Sequence, residues 1–197
     1  VQTNIISLLH NVSLNNIIRL EDDEWDKLWP LFTLEQIPPK KRLTAIGQIE
    51  RKLYFVVTGI IRLYCLNTDD NEVTVFLFAE NHFASCYPSF LTQSPSDQAL
   101  ETVEECTVLS INKSDFDLLH QVVPKVNVLT RKIIEQRFIN SQRIFTSYIS
   151  RTPEQRYLDF EREHGTLLLR VPQHIIASFL GITPVSLSRI RNRISRK

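Results

Sequence analysis

One stretch decides how this chain folds: residues 172–190, PQHIIASFLGITPVSLSRI. Pro172 predicts the start of a first helix, and Gly181 predicts its end because glycine adopts the positive φ of a sharp turn without strain. Thr183 is a typical N-cap for a second helix that has Pro184 at its first position. The apolar side chains that would form a shared core are Ile175, Ile176, Phe179, Leu180, Ile182, Leu187 and Ile190. The pattern predicts a helix-turn-helix.

The outward face of the second predicted helix carries short polar side chains and an arginine, which fit the major groove of duplex DNA. The residues expected to contact bases are Val185, Ser186, Ser188, Arg189 and Asn192. Those expected to contact phosphates are Gln173, Thr183, Arg191, Arg193, Arg196 and Lys197. A helical hairpin used only for protein contact is the alternative that stays open.

The distribution of charge also favours double-stranded DNA as a partner. After Glu163 the chain has six basic residues and no acidic one, whereas the part up to Glu163 has 17 basic and 22 acidic residues. A basic end on an acidic body is typical of a protein that presents this end to a polyanion.

The periodicity changes along the chain from helical to strand-like. Residues 1–35 are predicted to be helical, because apolar residues that include Ile5, Leu8 and Leu9 have helical spacing. Short β-rich runs then follow at Leu53–Val57, Ile60–Leu66, Val73–Phe78, Leu100–Val103 and Cys106–Ile111. The polar segment Asn67–Asn71 predicts a hairpin turn between two of these runs. Short strands separated by turns predict a small antiparallel barrel or roll.

A long helix is predicted after the roll. Ser114 predicts the cap of a short helix, and Pro124 predicts the start of a longer one that runs to Ser150 without a further Pro or Gly. The residues expected at a dimer interface form two stripes, Val126, Leu129 and Ile133 in one and Ile134, Phe138, Ser141, Phe145 and Tyr148 in the other. One stripe can pack on the roll and leave the other for a partner helix, which favours a homodimer. A helix packed wholly within its own chain is the alternative.

The next segments predict a smaller C-terminal unit. Thr152 is expected to cap a further helix with Pro153 in its first turn. Leu167–Val171 is a short apolar run, predicted to be a strand in a wing-like position before the helix-turn-helix.

Composition and cysteine spacing exclude several classes of protein. The chain is 43% hydrophobic and 23% charged, and it has neither an apolar run long enough to span a bilayer nor a secretion signal, so we expect a soluble cytoplasmic protein. Cys65, Cys86 and Cys106 lie far apart without a CxxC pair, so no metal site, disulfide framework or cofactor is expected. An enzyme that uses His82 and Cys86 with Asp97 matches no active-site motif, although Cys86, in a predicted loop, is the cysteine to test for reactivity. The first residue is a valine and the chain has no methionine, which leaves its native start open.

The order of these elements resembles the family of the cyclic-AMP receptor protein and the fumarate–nitrate regulator, which are bacterial transcription regulators. The resemblance rests on residues 171–191 and, more weakly, on the run LYFVVTGIIRLY at residues 53–64. It implies an α+β fold in which an N-terminal antiparallel β-roll of the cyclic-nucleotide-binding type with flanking helices (1–121) precedes a long dimerisation helix (122–150) and a C-terminal winged helix-turn-helix (151–197). It also implies a homodimer that binds two-fold symmetric DNA sites and contacts RNA polymerase.

Departures from the family limit what the resemblance implies. Ser188 and Arg189 match the family's base-reading pair, but Val185 stands where many members have Glu, so the operator sequence does not carry over. Members that bind cyclic AMP hold its phosphate with a Gly-Glu segment and a following Arg-Ser or Arg-Thr, whereas residues 79–83 and 92–98 contain no Arg or Lys. Because a buried anion needs a cation, cyclic AMP is not expected to bind in the usual manner; a working cyclic-nucleotide receptor is the alternative. The residues expected around an unidentified apolar or aromatic effector, if one binds, are His82, Phe83, Tyr87, Phe90 and Ser96.

Overall fold

The computed structural model of this protein describes residues 20–195. The predicted helical positions Ile5, Leu8 and Leu9 therefore lie outside the described residues, as do the candidate phosphate contacts Arg196 and Lys197.

Within this range, the strands form two four-stranded antiparallel sheets that pack as a roll. The strands are β1 (Thr33–Ile37), β2 (Arg42–Thr44), β3 (Lys52–Thr58), β4 (Ile61–Leu66), β5 (Glu72–Phe78), β6 (Phe83–Ala84), β7 (Ala99–Thr102) and β8 (Cys106–Asn112). The first sheet has the order β1-β8-β3-β6, and the second has the order β2-β7-β4-β5. Strands β3, β4, β5, β7 and β8 confirm the predicted runs, and β4 and β5 form the predicted hairpin.

The periodicity of the sequence does not predict β1, β2 and β6. The prediction that residues 1–35 are helical is wrong from Thr33 onward, because β1 pairs along its length with β8, from Thr33 opposite Ser110 to Ile37 opposite Cys106. The partners are distant in the chain, so local spacing does not reveal this pairing.

Two apolar cores lie on opposite faces of the first sheet. Tyr54, Val56 and Val108 pack with residues of the second sheet. The alternate residues of the same strands, such as Phe55 and Leu109, pack instead against the helices. Strands β3 and β8 are therefore buried on both faces.

The helices flank the roll and form the C-terminal part. They are α1 (Asp22–Leu28), α2 (Tyr87–Thr92), α3 (Lys113–Val122), α4 (Lys125–Ser150), α5 (Pro153–His164), α6 (Leu167–Arg170), α7 (Gln173–Phe179) and α8 (Pro184–Ile194), and a 3₁₀ turn at Trp29–Leu31 follows α1. Pro124 precedes α4 and Thr152 caps α5, as predicted. The cap of α3 is not Ser114 but Asn112, whose side chain accepts a hydrogen bond from the Asp115 N–H. Ser114 lies inside the first turn, and its hydroxyl donates to the Asn112 side chain at 2.7 Å.

The predicted wing strand at residues 167–171 is wrong, because this segment is the helical turn α6. Leu167 and Val171, four positions apart, are both buried, and the Val171 N–H donates to the Leu167 carbonyl at 2.8 Å. A run of adjacent leucines has no alternation that would favour a strand. Residues 151–195 contain helices and turns without a strand, so the C-terminal unit is helical throughout its described part.

In the described range, no helix combines the length and the apolar character that crossing a membrane requires.

Candidate nucleic-acid interface

The turn between α7 and α8 has the predicted geometry. Gly181 has φ of +65°, in the left-handed region that favours glycine. The Ile182 N–H donates to the Ala177 carbonyl at 3.0 Å, which closes the turn. Thr183 caps α8, because its hydroxyl oxygen accepts a hydrogen bond from the Ser186 N–H at 3.2 Å. The local residue chemistry thus sets the direction in which α8 leaves the turn.

An apolar core between α7 and α8 fixes the position of α8. Leu187 and Ile190 of α8 are buried against Ile176 and Ala177 of α7, both of which are fully inaccessible to solvent. The small Ala177 side chain lets the two helices approach closely. The core predicted for this helix pair is confirmed at these positions.

The opposite face of α8 is open to solvent. Val185 is 59% exposed, and Ser188, Arg189 and Asn192 are also exposed. Arg189 forms no ion pair with another residue of the described range. Ser186 is half-buried, and its hydroxyl lies 3.0 Å from that of Thr183, so it belongs to the helix cap more than to the open face.

The candidate phosphate contacts differ in their surroundings. Gln173 and Thr183 are exposed at the starts of α7 and α8, and Arg191 is half-buried. Arg193 forms an ion pair with Glu154 at the start of α5. Arg193 would therefore have to exchange this carboxylate for a phosphate if it contacted DNA.

Helix α7 is attached to the edge of the roll through Ser178. The Ser178 hydroxyl accepts a hydrogen bond from the Thr74 N–H at 2.8 Å and donates one to the Glu72 carbonyl at 3.0 Å. Ile60 of the roll is fully buried in the C-terminal core. The helix-turn-helix and the roll thus share hydrogen bonds and an apolar contact.

A second link between the two parts is ionic. Arg170, at the end of α6, forms ion pairs with Glu80, at 2.6 Å, and with Glu104. The Arg170 guanidinium holds the pKa of Glu80 at about 2, well below its usual value. No local pattern in the sequence marks Arg170 or Ser178 as functional, because their partners lie far away along the chain, in the roll.

The first predicted stripe of α4 lies inside its own chain. Val126 and Leu129 are buried in the core that α4 shares with the roll, and Ile133 packs against this core. These three residues are therefore not available to a partner chain.

The second predicted stripe of α4 faces outward for most of its length. Phe138 and Phe145 are each 63% exposed, and Ile134 is 40% exposed. Ser141 is half-buried, and its hydroxyl donates to a carbonyl of its own helix at 2.8 Å. Tyr148 differs from the rest, because its hydroxyl donates to the Phe179 carbonyl of the helix-turn-helix.

The candidate effector residues divide into two groups. His82, Phe83 and Tyr87 line part of a groove of about 1330 Å³ that runs along α4, first beside the roll and then beside α5. Phe90 is fully buried in the core, and Ser96 is buried with its hydroxyl donating to the Gln98 carbonyl at 2.8 Å. Phe90 and Ser96 therefore support the roll and do not line the groove.

Cys86 is not the reactive loop residue that the sequence suggested. It is fully buried at the start of α2, and its thiol donates to the Gln98 carbonyl at 3.5 Å. Burial raises the pKa of Cys86 to about 12, which opposes thiolate formation. His82 and Asp97 are exposed, unlike the thiol. In residues 20–195 there is no group of three or more His, Cys, Asp and Glu side chains that could hold a metal ion.

Comparisons with known proteins agree with this architecture. Residues 34–121 match the sequence model of the cyclic nucleotide-binding domain. The c-di-GMP responsive global regulator CLP of Xanthomonas campestris aligns with a TM-score of 0.72 at 15% identity, over 89% of this chain and 92% of that one. FixK2 of Bradyrhizobium japonicum aligns with a TM-score of 0.72 at 15% identity, over 84% of this chain and 85% of its own. The catabolite activator protein of Thermus thermophilus aligns with a TM-score of 0.58 at 19% identity, over 91% of this chain and 86% of its own. A comparison with curated protein sequences finds no match.

The chain therefore has the fold of the Crp/Fnr transcription regulators, with the same succession of roll, long helix and helical C-terminal part. Its roll resembles the cyclic nucleotide-binding domain, whose sequence model it matches over residues 34–121.

Proposed function

We propose that this protein is a sequence-specific DNA-binding regulator of transcription that acts as a homodimer. The observation that carries the proposal is the two-sided character of α8. Leu187 and Ile190 are buried on one side of the helix. The side chains exposed on the other side are Val185, Ser188, Arg189 and Asn192. A helix that is anchored on one side and exposes an arginine on the other has the form that major-groove recognition requires.

In this proposal α8 enters the major groove. Arg189 donates two hydrogen bonds to the edge of a guanine, and Ser188 and Asn192 reach neighbouring bases. The exposed methyl groups of Val185 suit contact with a thymine methyl group. Gln173, Thr183, Arg191 and Arg193 contact phosphates and set the register of the protein on the duplex.

The second stripe of α4 supports the homodimer. Phe138 and Phe145 are large apolar side chains that a helix of 26 residues exposes on one face. Pairing with the same helix of a second chain would bury this face and place two copies of α8 against two half-sites. The resemblance to the family extends the proposal to contact with RNA polymerase in the bacterial cytoplasm.

A buried carboxylate in the roll argues against binding of a cyclic nucleotide in the manner usual for the family. Glu50 is 1% exposed, and its carboxylate accepts hydrogen bonds from the Thr44 hydroxyl at 2.8 Å and the Cys86 N–H at 3.3 Å. The Cys86 amide stands at the start of α2, and a phosphate brought to it would meet this buried negative charge. Residues 79–98 themselves contain no Arg or Lys, and the guanidinium of Arg137, which donates to the Ser85 carbonyl, comes from α4 and not from this segment.

Cyclic-nucleotide reception is the second candidate, since the roll matches the family of cyclic nucleotide-binding domains. Calorimetry with cyclic AMP and cyclic GMP separates the two candidates. A dissociation constant below about 10 μM, or roughly −7 kcal/mol, would establish the roll as a receptor.

The test of DNA binding begins with selection of duplexes from a random pool by the full chain. Arg189→Ala is expected to weaken binding to the selected duplex by roughly 1–3 kcal/mol and to relax preference at one base pair. Arg51→Ala, at an exposed arginine of the roll, is the matched control and should bind as the wild type does. Failure to enrich any sequence, or equal binding by the Arg189 variant, would contradict the proposal.

A further inference from the structure

Arg137 extends from α4 into the groove between this helix and the roll. Its guanidinium carbon lies 5.2 Å from the ring centre of Phe78 and 5.5 Å from those of Phe76 and Tyr87. Nη2 donates to the Ser85 carbonyl at 3.3 Å. An arginine is thus held among three aromatic rings at the wall of the groove.

Arg137 lacks an anionic partner within residues 20–195. No Asp or Glu of this range forms an ion pair with it, and burial lowers its pKa. A guanidinium has five N–H donors, and the single carbonyl acceptor of Ser85 leaves most of them available. Arg137 is half-buried, and a partly desolvated charge without a counter-charge is unfavourable, so the site favours the arrival of an anion.

Arg62, a buried arginine of the roll, offers a comparison with Arg137, which is half-buried and belongs to α4. Arg62 is 6% exposed, and its guanidinium pairs with Glu72 at 2.6 Å and with Glu101 at 2.8 Å. It also lies over the ring of Tyr64 at 4.4 Å. Arg62 therefore has both an aromatic neighbour and carboxylates, whereas Arg137 has aromatic neighbours without a carboxylate in the part of the chain that the structure describes.

We propose that the groove binds a small aromatic carboxylate whose anionic group pairs with Arg137 and whose ring packs between the aromatic side chains. One guanidinium matches one monoanionic carboxylate, and its planar fork forms two parallel hydrogen bonds with such a group. The half-buried rings of Phe76 and Tyr87 line the groove and offer apolar surface to the ring, whereas Phe78, at 5% exposure, belongs mainly to the core beside Arg137. These walls suit a ring better than the hydroxyl-rich sugar of a nucleotide. The groove beside Arg137 is one part of a volume of about 1330 Å³ that extends along α4 to α5, so a small ligand has room there.

The position of Arg137 connects the ligand with the rest of α4. The next residue, Phe138, lies on the exposed stripe, and the helix ends where Tyr148 contacts the helix-turn-helix. A ligand that pulls on Arg137 would therefore act on the helix that carries the dimer surface. This regulatory consequence rests on the proposed function, whereas the binding itself does not.

Isothermal titration calorimetry on the full chain tests the binding directly. The probes are benzoate, cinnamate, indole-3-acetate and 1-naphthoate, each with its primary amide as the neutral analogue, and cyclic AMP is the nucleotide control. At least one carboxylate is expected to bind, and its amide should bind at least about tenfold more weakly because the charged pair is lost. Arg137→Gln should weaken carboxylate binding by a similar factor. Arg131→Gln, at an exposed arginine of the same helix that pairs with Glu135, should leave binding unchanged.

Thermal unfolding without ligand checks that the variants fold. Arg137→Gln removes a half-buried charge that has no carboxylate partner in the described range, so its melting temperature should equal or exceed that of the wild type. Comparison of each acid with its amide uses only the wild-type protein, so this part of the test does not depend on whether a variant folds. The proposal is overturned if no carboxylate binds or if acid and amide bind equally. It is also overturned if Arg137→Gln binds the carboxylate as the wild type does, or if cyclic AMP binds and the carboxylates do not. None of these outcomes depends on DNA binding, which is measured separately.

Discussion

The ring of Tyr148, near the end of α4, lies directly against Gly181, in the turn of the helix-turn-helix. A Cβ atom on Gly181 would lie 2.6 Å from Cε1 of Tyr148, closer than real Cβ contacts allow. The Tyr148 hydroxyl also donates to the Phe179 carbonyl, and its ring lies 5.1 Å below the guanidinium carbon of Arg156. The glycine therefore serves two purposes, since it permits a positive φ and leaves room for the tyrosine.

Gly181→Ala is expected to destabilise the C-terminal unit by more than backbone strain alone would. The strain of φ +65° costs an L-residue roughly 1–2 kcal/mol, and displacement of the Tyr148 ring adds to this. Urea unfolding measures the difference. Gly47→Ala is the matched control, because Gly47 has φ of +83° but a Cβ atom there would meet no other atom within 4 Å in the described range. An equal decrease in the free energy of unfolding in the two variants would mean that the contact with Tyr148 does not contribute to stability.

Arg170→Gln is expected to lower stability at neutral pH and to have a smaller effect in acid. The pKa of Glu80 falls from its ordinary 4.5 to about 2 on folding, so its ion pair stabilises the fold above about pH 4.5. This contribution is lost as the pH falls from 4.5 towards 2. Both side chains are about a third exposed, so screening limits it to roughly 1 kcal/mol.

Urea unfolding at pH 7 and pH 3 checks the Arg170 prediction. The wild type and Arg170→Gln should differ more at pH 7. Arg162→Gln, which removes an exposed arginine paired with Asp159 and Glu163, serves as the control and should have a smaller effect at both values. A difference that grows in acid would contradict the assignment.

Ser178→Ala is expected to loosen the attachment of α7 to the roll. The substitution leaves the Thr74 N–H without its acceptor, which costs about 1–3 kcal/mol for a buried donor. Hydrogen exchange at the Thr74 amide should become faster. Ser188→Ala, on the open face of α8, should leave both stability and this exchange rate unchanged. Unaltered protection of the Thr74 amide in Ser178→Ala would show that the serine is not its main acceptor.

Phe145→Glu is expected to weaken self-association at least about tenfold, because a charge in the paired apolar stripe would have to be desolvated. Sedimentation velocity over a range of concentrations measures the dimer. The control is Leu169→Glu, since Leu169 is 88% exposed but lies on α6 and not on the stripe. A wild type that stays monomeric, or a Phe145 variant that stays dimeric, would count against the α4 interface.

Much of the helix-turn-helix could be predicted because its signals act over a few residues. A glycine that ends α7, a threonine that caps α8 and the apolar spacing around them determine the local geometry whatever the rest of the chain does. Strand β1 and helix α6 could not be predicted in the same way. Pairing with β8 determines β1, and burial of Leu167 and Val171 in the C-terminal core determines α6.

The order of residues alone was enough to locate most strands and helices and to identify the side chains that α8 presents on its outer face. The environment of each charge emerged from the folded chain instead: Arg189 without an ion pair in the described range, Arg193 against Glu154, Arg170 between Glu80 and Glu104, and Arg137 among aromatic rings. The difference lies in the range of the forces. Helical and strand propensities depend on neighbours within a few residues, whereas burial and ion pairing depend on distances between segments that folding brings together.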